Sequence, residues 1–394
     1  MREKKMNDLK LYGQEHILSF INELNDNEKN ELYADINKID FKLMNSIYKN
    51  SFTDEKIDIN DYSPCNSVYG TRLSDISDST HMVKNGEYAI TLMAGGNGSR
   101  LGFNGPKGCV LVGNKSLFQI YIDKLLDIYR EYGVYINLYI MTSSLNNNAT
   151  IDFFKFNNYF GYNKRNIKFF IQDDLPILDK SGKILLRNKN HILFGPNGNG
   201  NVFSALKKSN LLNDMKMKGI KYVLFMGIDN PLVNMVDFNL LEIMIKENYG
   251  VVTKTILKKD DNDMGGVFCK YMGRPSIIMK ENMTKEINNI KMNGEYVFRD
   301  TNILYHVISY DNLVKFSNIK LRYHKAFKKN NYMDLSGKYI TPLEPNSYKF
   351  EQFIYDAFLY ADDMLLYRVD ESEFMPIKNK DDLDNANKYF EMEW

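Results

Sequence analysis

The sequence is poor in the residues that build disulfide frameworks and zinc sites. Among its 394 residues there are three cysteines and five histidines. Cys65, Cys109 and Cys269 lie far apart, form no Cys-x-x-Cys pair and have no histidine nearby at metal-ligand spacing. We therefore expect neither a disulfide-stapled fold nor a structural zinc ion.

The chain also lacks an excess of one charge and any long apolar run. Its 51 lysines and arginines balance 50 aspartates and glutamates, which gives a net charge of +1. Such a balance provides no general attraction to nucleic acid or to a membrane surface, so any anion site must be local. No stretch approaches the roughly 18 consecutive apolar residues of a membrane span. These absences predict a cytoplasmic protein without nucleic-acid or membrane partners.

From Tyr88 onwards, buried-strand patterns alternate with amphipathic-helix patterns. Ser116 is placed to cap one such helix, whose apolar residues share a face. The alternation predicts an α/β fold with a doubly wound, mostly parallel, Rossmann-like sheet, in which ligands bind at the carboxyl ends of the strands. The predicted strands are 88–93, 134–141, 167–171, 222–226 and 251–257.

The first part of the sequence has a different pattern. Apolar residues recur at helical spacing on both sides of Asn25-Asp26-Asn27, which can cap the second of two helices. Residues 54–87 are polar and turn-rich, and they predict an irregular crossing segment. We therefore divide the chain into a small N-terminal helical module with that segment, residues 1–80, and a larger domain, residues 81–394.

The strand 88–93 leads into the glycine-rich stretch Ala94-Gly95-Gly96-Asn97-Gly98-Ser99-Arg100-Leu101-Gly102, followed by Gly105-Pro106-Lys107-Gly108. Backbone N–H groups of such glycines can approach a phosphate closely, and Arg100 and Lys107 add positive charge. An ordinary tight turn is the alternative for the glycines alone. The stretch fits neither a Walker loop, which needs Gly-Lys-Ser/Thr, nor a dinucleotide loop, which needs Gly-x-Gly-x-x-Gly. It predicts a phosphate-binding loop.

A second candidate follows the strand 222–226, where Asp229 comes two residues after Gly227. A carboxylate just beyond a buried strand is well placed to hold Mg²⁺, which prefers oxygen ligands. A turn or helix-capping aspartate is an equally good explanation on local grounds.

The glycine-rich stretch resembles the signature of the UDP-N-acetylhexosamine pyrophosphorylases, with Ser99 in place of the usual threonine. Further stretches resemble the same family in the same order, from about residue 10 to residue 385. They are Phe169-Phe170-Ile171-Gln172, residues 195–201, Asp229-Asn230-Pro231-Leu232 and Glu373-Phe374-Met375-Pro376-Ile377-Lys378-Asn379. The resemblance implies that residues 81–394 form a nucleotidyltransferase catalytic domain.

The resemblance also implies site residues. The implied catalytic cations are Arg100, Lys107 and Lys378, and the implied metal ligand is Asp229. The implied contacts to the nucleotide and its sugar are Gly95, Gly96, Gln172, Gly198, Asn199 and Gly266. An amide such as that of Gln172 can pair with both the N–H and the C=O of a uracil edge.

The sequence departs from the family where the sugar is expected to bind. Met279 stands at the position of a sugar-binding glutamate, and Tyr305 stands at that of an asparagine which meets the N-acetyl sugar. A thioether cannot replace the hydrogen bonds of a carboxylate, which contribute about 1–3 kcal/mol. Glu281, in a shifted register, is the alternative carboxylate. We expect no separate C-terminal β domain of the kind that longer members carry.

Together with these features, the resemblance implies a uridylyltransferase that makes UDP-N-acetylglucosamine and pyrophosphate from UTP and a hexosamine 1-phosphate, N-acetylglucosamine 1-phosphate, with Mg²⁺ as cofactor. The attacking phosphate oxygen is already anionic, so alignment and charge neutralisation suffice for catalysis. A UDP-glucose or broad-specificity UDP-sugar pyrophosphorylase and a catalytically silent UDP-sugar-binding protein are the alternatives. A dinucleotide-dependent oxidoreductase is disfavoured by the glycine spacing. We expect a monomer or weak homo-oligomer.

Overall fold

The computed structural model describes residues 2–50, 59–258, 266–279, 283–292 and 294–393. The chain divides into two compact units. Unit 1 consists of Met1–Lys56, Asp173–Asn201 and Leu321–Phe353, and unit 2 of Ile57–Gln172, Val202–Lys320 and Ile354–Trp394. In the part of the chain that is described, no helix is long and apolar enough to cross a membrane.

The described residues form both α-helices and β-strands. The α-helices are α1 Arg2–Leu11, α2 Asp26–Lys38, α3 Phe41–Asn50, α4 Ser77–Lys84, α5 Leu117–Tyr132, α6 Asn147–Phe156, α7 Val202–Lys208, α8 Leu211–Met217, α9 Phe238–Lys246, α10 Lys285–Asn288, α11 Tyr310–Ser317 and α12 Lys380–Glu393. The strands are β1 Tyr62–Ser63, β2 Ser67–Tyr69, β3 Tyr88–Met93, β4 Leu111–Val112, β5 Lys115–Ser116, β6 Asn137–Thr142, β7 Ile167–Ile171, β8 Asp174–Pro176, β9 Leu178–Asp179, β10 Leu186–Asn188, β11 His191–Ile192, β12 Phe194–Pro196, β13 Tyr222–Gly227, β14 Val251–Leu257, β15 Val267–Tyr271, β16 Arg274–Ile278, β17 Lys291–Met292, β18 Glu295–Tyr296, β19 Asp300–Ser309, β20 His324–Lys328, β21 Tyr332–Met333, β22 Tyr339–Ile340, β23 Ser347–Glu351 and β24 Leu365–Arg368.

Unit 2 is built on a central sheet with the strand order β2-β24-β14-β19-β13-β3-β6-β7, to which the β15–β16 hairpin and β1 are added. Strands β13, β3, β6 and β7 pair in parallel, as do β2, β24 and β14. Only β19, between β13 and β14, runs antiparallel to both neighbours in this path. The predicted α/β class with a mostly parallel central sheet is therefore confirmed.

Local sequence explains the strands and helices that surround the loop after β3. All six residues of β3 are buried, as expected for a central strand covered on both faces. Helix α5 begins where the Ser116 side chain accepts a hydrogen bond from Gln119 N (3.1 Å), as predicted, and it ends at Gly133 in the left-handed conformation (φ 71°). The predicted strands 88–93, 167–171 and 251–257 coincide with β3, β7 and β14.

Unit 1 combines the N-terminal helices with two segments that come much later in the chain. Asn25 and Glu28 form a capping box at the start of α2, which confirms the predicted cap. The apolar faces of these helices pack in one cluster with side chains such as Leu178 and Phe350. The helices thus bury their apolar residues against chain segments that are distant in sequence. Sequence spacing alone does not predict this contact.

This organisation differs from the division at residue 80. Residues 57–80 belong to unit 2 and contain β1, β2 and the start of α4, where an irregular crossing segment was predicted. Residues 173–201 and 321–353, which the prediction assigned to the larger domain, belong to unit 1. The reason is physical: short strands in these segments complete the apolar cluster of the N-terminal helices. Residues 354–393 contribute β24 and α12 to unit 2.

Candidate active site

The glycine-rich loop leaves the carboxyl end of β3 and is held from one side by the segment after β6. The Asn146 side chain donates to Ala94 O (3.0 Å) and Gly96 O (3.1 Å), and Ser143 Oγ donates to Gly95 O (2.8 Å). These bonds engage the carbonyl groups of the loop. They leave its N–H groups for other partners.

The loop is also closed on itself. Gly98 N donates to Gly105 O (2.9 Å), and Lys107 N donates to Gly96 O (3.1 Å), on either side of a bridge between Asn97 and Pro106. The loop therefore has a defined shape that rests on its own backbone.

Gly95 and Gly96 differ in what surrounds them. Among the described residues, none accepts a hydrogen bond from the N–H of either glycine. A Cβ at Gly95 would collide with Nε2 of Gln172, whereas a Cβ at Gly96 would meet nothing within 4 Å. Neither residue has a positive φ. The Gln172 side chain thus occupies the space that a Cβ at 95 would need, whereas neither packing nor backbone conformation explains the glycine at 96.

Lys107 and Asp229 form the central ion pair. Strands β3 and β13 are adjacent and in register, with Met93 opposite Gly227, so the loops that follow them meet. Lys107 Nζ lies 2.6 Å from Asp229 Oδ1, and the two side chains are 8% and 37% exposed. Within the described part of the chain, Lys107 is the only side-chain partner of Asp229. A buried lysine and a half-exposed carboxylate therefore stand at the end of the sheet.

Residues 373–378, which we call the strap, lie against the loop that contains Asp229 and Asn230. Ile377 N donates to Asp229 O (3.0 Å), and Met375 N donates to Asn230 Oδ1 (3.0 Å). Asn230 Nδ2 in turn donates to Glu373 O (2.7 Å). The predicted metal ligand and the C-terminal lysine motif, far apart in sequence, are thereby joined.

Beside the strap, unit 2 contains a cavity of about 130 Å³. The chemistry-bearing and shaping residues in its wall are Asp229, Asn302, Leu304, Tyr305, Phe374 and Lys378. Lys378 is itself exposed. The structure thus brings Asp229, Lys378 and the Tyr305 position together around one space.

A β-bulge in β19 shapes one wall of this cavity. The pairing of β14 with β19 shifts between Thr253 and Thr255, and Leu304 has a φ of 58°. Asn302 Oδ1 accepts a hydrogen bond from Leu304 N (2.8 Å) and stabilises the bulge. The ring of Tyr305 is 1% exposed and lies 4.9 Å from Lys254 Nζ. Burial raises the pKa of the Tyr305 hydroxyl well above its usual range.

The remaining predicted sugar residues lie next to this wall. Gly266 O accepts a hydrogen bond from Asn302 N (2.9 Å), and a Cβ at Gly266 would be 3.1 Å from Met279 Sδ. Gly266, Met279 and the β19 bulge therefore form one continuous region. Glu281, the alternative carboxylate, lies outside the described residues.

Gln172 and Arg100 have contrasting environments. Gln172 is 6% exposed, and its backbone N–H donates to Thr142 O (2.9 Å), which fixes it beside Gly95. Arg100 lies in a short turn, Ser99–Leu101, and is exposed. No described residue forms an ion pair with it. The guanidinium therefore presents its charge to solvent.

Gly198 and Asn199 belong to unit 1, where their loop packs on the backbone of Gln352. Gln352 N donates to Asn197 O (2.7 Å), and Gly200 N donates to Gln352 O (2.9 Å). Gly198 has a φ of 86°, and a Cβ there would collide with Gln352 O. Close backbone approach thus explains glycine at 198, and Asn199 is half-buried.

Sequence reasoning missed several residues that hold the site. Ser143 and Asn146 bind the glycine loop, but the Asn146-Asn147-Asn148 run gave no signal of this role. Lys124 Nζ donates to Pro231 O (2.7 Å) and Val233 O (2.8 Å) beneath the Asp229 loop, and burial lowers the pKa of Lys124 to about 8. Its helical position resembled an ordinary surface lysine.

A metal ion would depend mainly on Asp229. Over the described ranges, no group of three or more histidine, cysteine, aspartate or glutamate side chains could hold a metal ion. Mg²⁺ commonly binds proteins through one or two carboxylates, with water and substrate phosphates as its other ligands. A single half-exposed carboxylate beside the glycine-rich loop fits that mode.

A glycine-rich loop and a carboxylate at the carboxyl ends of adjacent parallel strands are typical of nucleotide-binding α/β proteins. Residues 39–390 match the model of the family described as UTP–glucose-1-phosphate uridylyltransferase, so the chain belongs to this family.

Known proteins similar to the chain carry more specific names. It is 36% identical over 77% of its length to the UDP-N-acetylglucosamine pyrophosphorylase of Saccharomyces cerevisiae, covering 66% of that protein. It is 32% identical over 96% of its length to UDP-N-acetylglucosamine diphosphorylase 1 of Arabidopsis thaliana, covering 79% of that protein. The crystal structure of the Trypanosoma brucei uridine diphosphate N-acetylglucosamine pyrophosphorylase has a TM-score of 0.79 and 26% identity, with 98% of this chain and 84% of that chain covered.

Proposed function

We propose that the protein transfers the uridylyl group of UTP to N-acetylglucosamine 1-phosphate, giving UDP-N-acetylglucosamine and pyrophosphate. The observation that carries this proposal is the Lys107–Asp229 ion pair at the ends of adjacent strands β3 and β13. The ion pair joins the glycine-rich stretch to the stretch that begins at Asp229. Relatives of the chain are named for the product UDP-N-acetylglucosamine.

In the proposed reaction, a phosphate oxygen of the sugar 1-phosphate attacks the α-phosphorus of UTP. The new P–O bond forms as the bond from the α-phosphorus to the bridging oxygen of the β-phosphate breaks, and pyrophosphate leaves with the electron pair. Because the nucleophile is already an anion, no general base is required. Lys107 and Lys378 neutralise the transferring phosphates, and Arg100 steadies the leaving pyrophosphate.

The nucleotide end of the proposed site consists of the glycine loop and Gln172. The unengaged N–H groups of Gly95 and Gly96 support a role as phosphate donors. The contact between Gly95 and Gln172 puts the amide beside them, so that one nucleotide can reach both. We include Gly198 and Asn199 as further nucleotide contacts, although the geometry of their loop is already explained by packing in unit 1.

Mg²⁺ is part of the proposal, with Asp229 as its protein ligand. The ion would supply positive charge to the phosphates of UTP, as in other phosphoryl transfers. The half-exposed side chain of Asp229 supports this role. Its Oδ1 pairs with Lys107, and its other oxygen has no partner among the described residues.

The sugar end of the proposed site departs from the family pattern. Gly266, Met279 and the Tyr305 position border the cavity region, and only a thioether stands where a carboxylate was expected. A UDP-glucose or broad-specificity UDP-sugar pyrophosphorylase is the second candidate, which the description of the matching family favours. A silent UDP-sugar-binding protein is the third.

We further propose a cytoplasmic monomer or weak homo-oligomer with a Rossmann-like, doubly wound catalytic unit, and without nucleic-acid partners. The three cysteines are free thiols, which supports a reducing compartment.

One experiment separates the candidates. Pyrophosphate release from UTP should be measured with N-acetylglucosamine 1-phosphate, N-acetylgalactosamine 1-phosphate, glucose 1-phosphate and galactose 1-phosphate, with and without Mg²⁺. We expect the highest kcat/KM with N-acetylglucosamine 1-phosphate. A preference for glucose 1-phosphate selects the second candidate, and UDP-sugar binding without pyrophosphate release selects the third.

A further inference from the structure

Lys254 is a buried cation that the proposed mechanism does not use. It lies in β14 with 1% of its side chain exposed, and its Nζ is 2.7 Å from Asp237 Oδ2 and 2.6 Å from Glu373 Oε2. The ammonium also lies 4.9 Å from the ring centroid of Tyr305. A buried charge is tolerated only when its partners replace the lost hydration, so both carboxylates are needed to keep Lys254 in place.

The two carboxylates differ in what holds them. Asp237 caps helix α9, where its Oδ1 accepts a hydrogen bond from Leu240 N (3.1 Å), and its side chain is 8% exposed. It is therefore a fixed point of unit 2. Glu373 is 34% exposed and opens the strap, residues 373–378. Lys254 consequently connects the buried side chain of Asp237 to Glu373 at the beginning of the strap.

Further along, the strap forms hydrogen bonds to the Asp229 loop just before it reaches Lys378. Met375 N and Ile377 N bind Asn230 and Asp229, and Lys378 follows Ile377 directly. These bonds fix the middle of the strap. At the start of the strap, Asn230 Nδ2 holds the carbonyl of Glu373, and the ion pair with Lys254 fixes the Glu373 side chain.

We infer that Lys254 is a positioning residue, which through Glu373 fixes the strap and thereby the place of Lys378 at the cavity. The inference rests on the proposed function for the role of Lys378 and on the ion pair for the mechanism of positioning. Lys254 itself does not touch the substrates.

The kinetic test uses Lys254→Met, Glu373→Gln and Lys378→Ala. Misplacing a catalytic group by about 1 Å can lower the rate roughly 10²-fold, so we expect a loss of that order in kcat for Lys254→Met and a smaller loss for Glu373→Gln. The Kd for UTP should stay within about twofold of wild type. A change in UTP affinity as large as that in kcat would overturn the inference.

A double-mutant cycle tests whether Lys254 acts through Lys378. We expect Lys254→Met combined with Lys378→Ala to be no slower than Lys378→Ala alone, because a strap without its lysine has nothing left to misplace. If the double variant instead lost kcat by the product of the two single losses, Lys254 would act independently of Lys378. If Lys254→Met does not fold, Glu373→Gln replaces it in the cycle.

Arg368 offers a matched control. It is buried in β24 of the same sheet, and its Nε and Nη2 lie 2.7 and 2.9 Å from the Asp300 carboxylate. Arg368→Met removes a buried cation from a carboxylate without touching the strap. We expect a lower unfolding temperature but a kcat within about twofold of wild type. An equal loss of kcat would mean that any damage to the sheet suffices, and would contradict a specific role for Lys254.

Amide hydrogen exchange provides a readout that does not depend on catalysis. In Lys254→Met, exchange at Met375 and Ile377 should accelerate more than exchange in β3. Unchanged exchange at both amides would overturn the inference. If the wild-type protein released no pyrophosphate with any sugar 1-phosphate, the proposed function would fail, and the exchange measurement would still test the positioning by Lys254.

Discussion

Replacing Gly96 with alanine should separate ligand binding from stability. A Cβ at this position meets nothing within 4 Å, and φ is not positive, so the folded chain has room for it. Gly→Ala changes at permissive sites raise the free energy of unfolding by about 0.4–1 kcal/mol. We therefore expect an unfolding temperature equal to or slightly above that of wild type.

The same methyl group would stand where we propose that phosphate approaches the loop. Loss of one hydrogen bond to a charged group lowers the binding free energy by about 1.5–3 kcal/mol, which corresponds to a Kd for UTP roughly 10- to 150-fold higher. Isothermal titration with UTP at fixed ionic strength measures this change directly, and thermal unfolding of the same sample measures stability.

Gly133 provides the opposite control. It ends helix α5 with a φ of 71°, and a Cβ there would meet nothing within 4 Å, so alanine there strains only the backbone. Gly133→Ala should lower the free energy of unfolding by about 1–2 kcal/mol and leave UTP affinity unchanged. Wild-type UTP affinity in Gly96→Ala would refute our reasoning about the loop, because the glycine would then have no ligand to accommodate.

Three further predictions concern charge. Lys107→Ala should lower kcat by about 10²-fold or more, as expected for the loss of one electrostatic stabiliser, and an unchanged kcat for pyrophosphate release in the folded variant would remove Lys107 from the mechanism. Asp229→Asn should weaken the Mg²⁺ dependence, whereas a Mg²⁺ titration identical to wild type would argue against a ligand role. Burial lowers the pKa of His306 to about 3 from its ordinary value of 6.5. The unfolded chain therefore binds the proton more readily, so the free energy of unfolding should fall by up to about 1.4 kcal/mol per pH unit as the pH drops from 6.5 towards 3. Urea unfolding at pH 7, 6 and 5 should show that the free energy of unfolding falls less steeply with pH in His306→Gln than in wild type. Equal slopes in the two proteins would exclude His306 as the cause.

Local patterns in the sequence were sufficient for much of the central sheet. Strands such as Tyr88–Met93 are short, mostly apolar runs that end at a turn signal, and a cap such as Ser116 acts within a few residues of its own helix. Both signals are short-range. They can therefore be interpreted before the tertiary structure is known.

Long-range strand pairing is not specified by local sequence patterns. Strand β19, residues Asp300–Ser309, enters the sheet antiparallel between β13 and β14, and no local pattern specifies its neighbours. Lys254 lies in the pattern Thr253-Lys254-Thr255, which is typical of a half-exposed strand. It is buried only because Asp237 and Glu373, from distant parts of the chain, surround its ammonium.

For the candidate site, the residue types could be predicted from the sequence, but the residues that surround them in space could not. The pairing of Lys107 with Asp229 depends on the register of two strands that are more than a hundred residues apart in the chain. The glycine at 198 was assigned to ligand contact by resemblance, yet Gln352 O approaches it so closely that packing alone requires a glycine. Only the three-dimensional structure separates these two reasons for the same residue type.

The interleaving of the two units has a consequence for biosynthesis. Unit 1 closes only with residues up to Phe353, and the sheet of unit 2 gains β24, between β2 and β14, only with residues Leu365–Arg368. A growing chain on the ribosome therefore completes each unit only late in synthesis, because each contains a segment that lies beyond residue 320. Before β24 is synthesised, the edge of β14 that pairs with it in the folded protein has no partner, and β2 lacks the strand through which it joins the sheet.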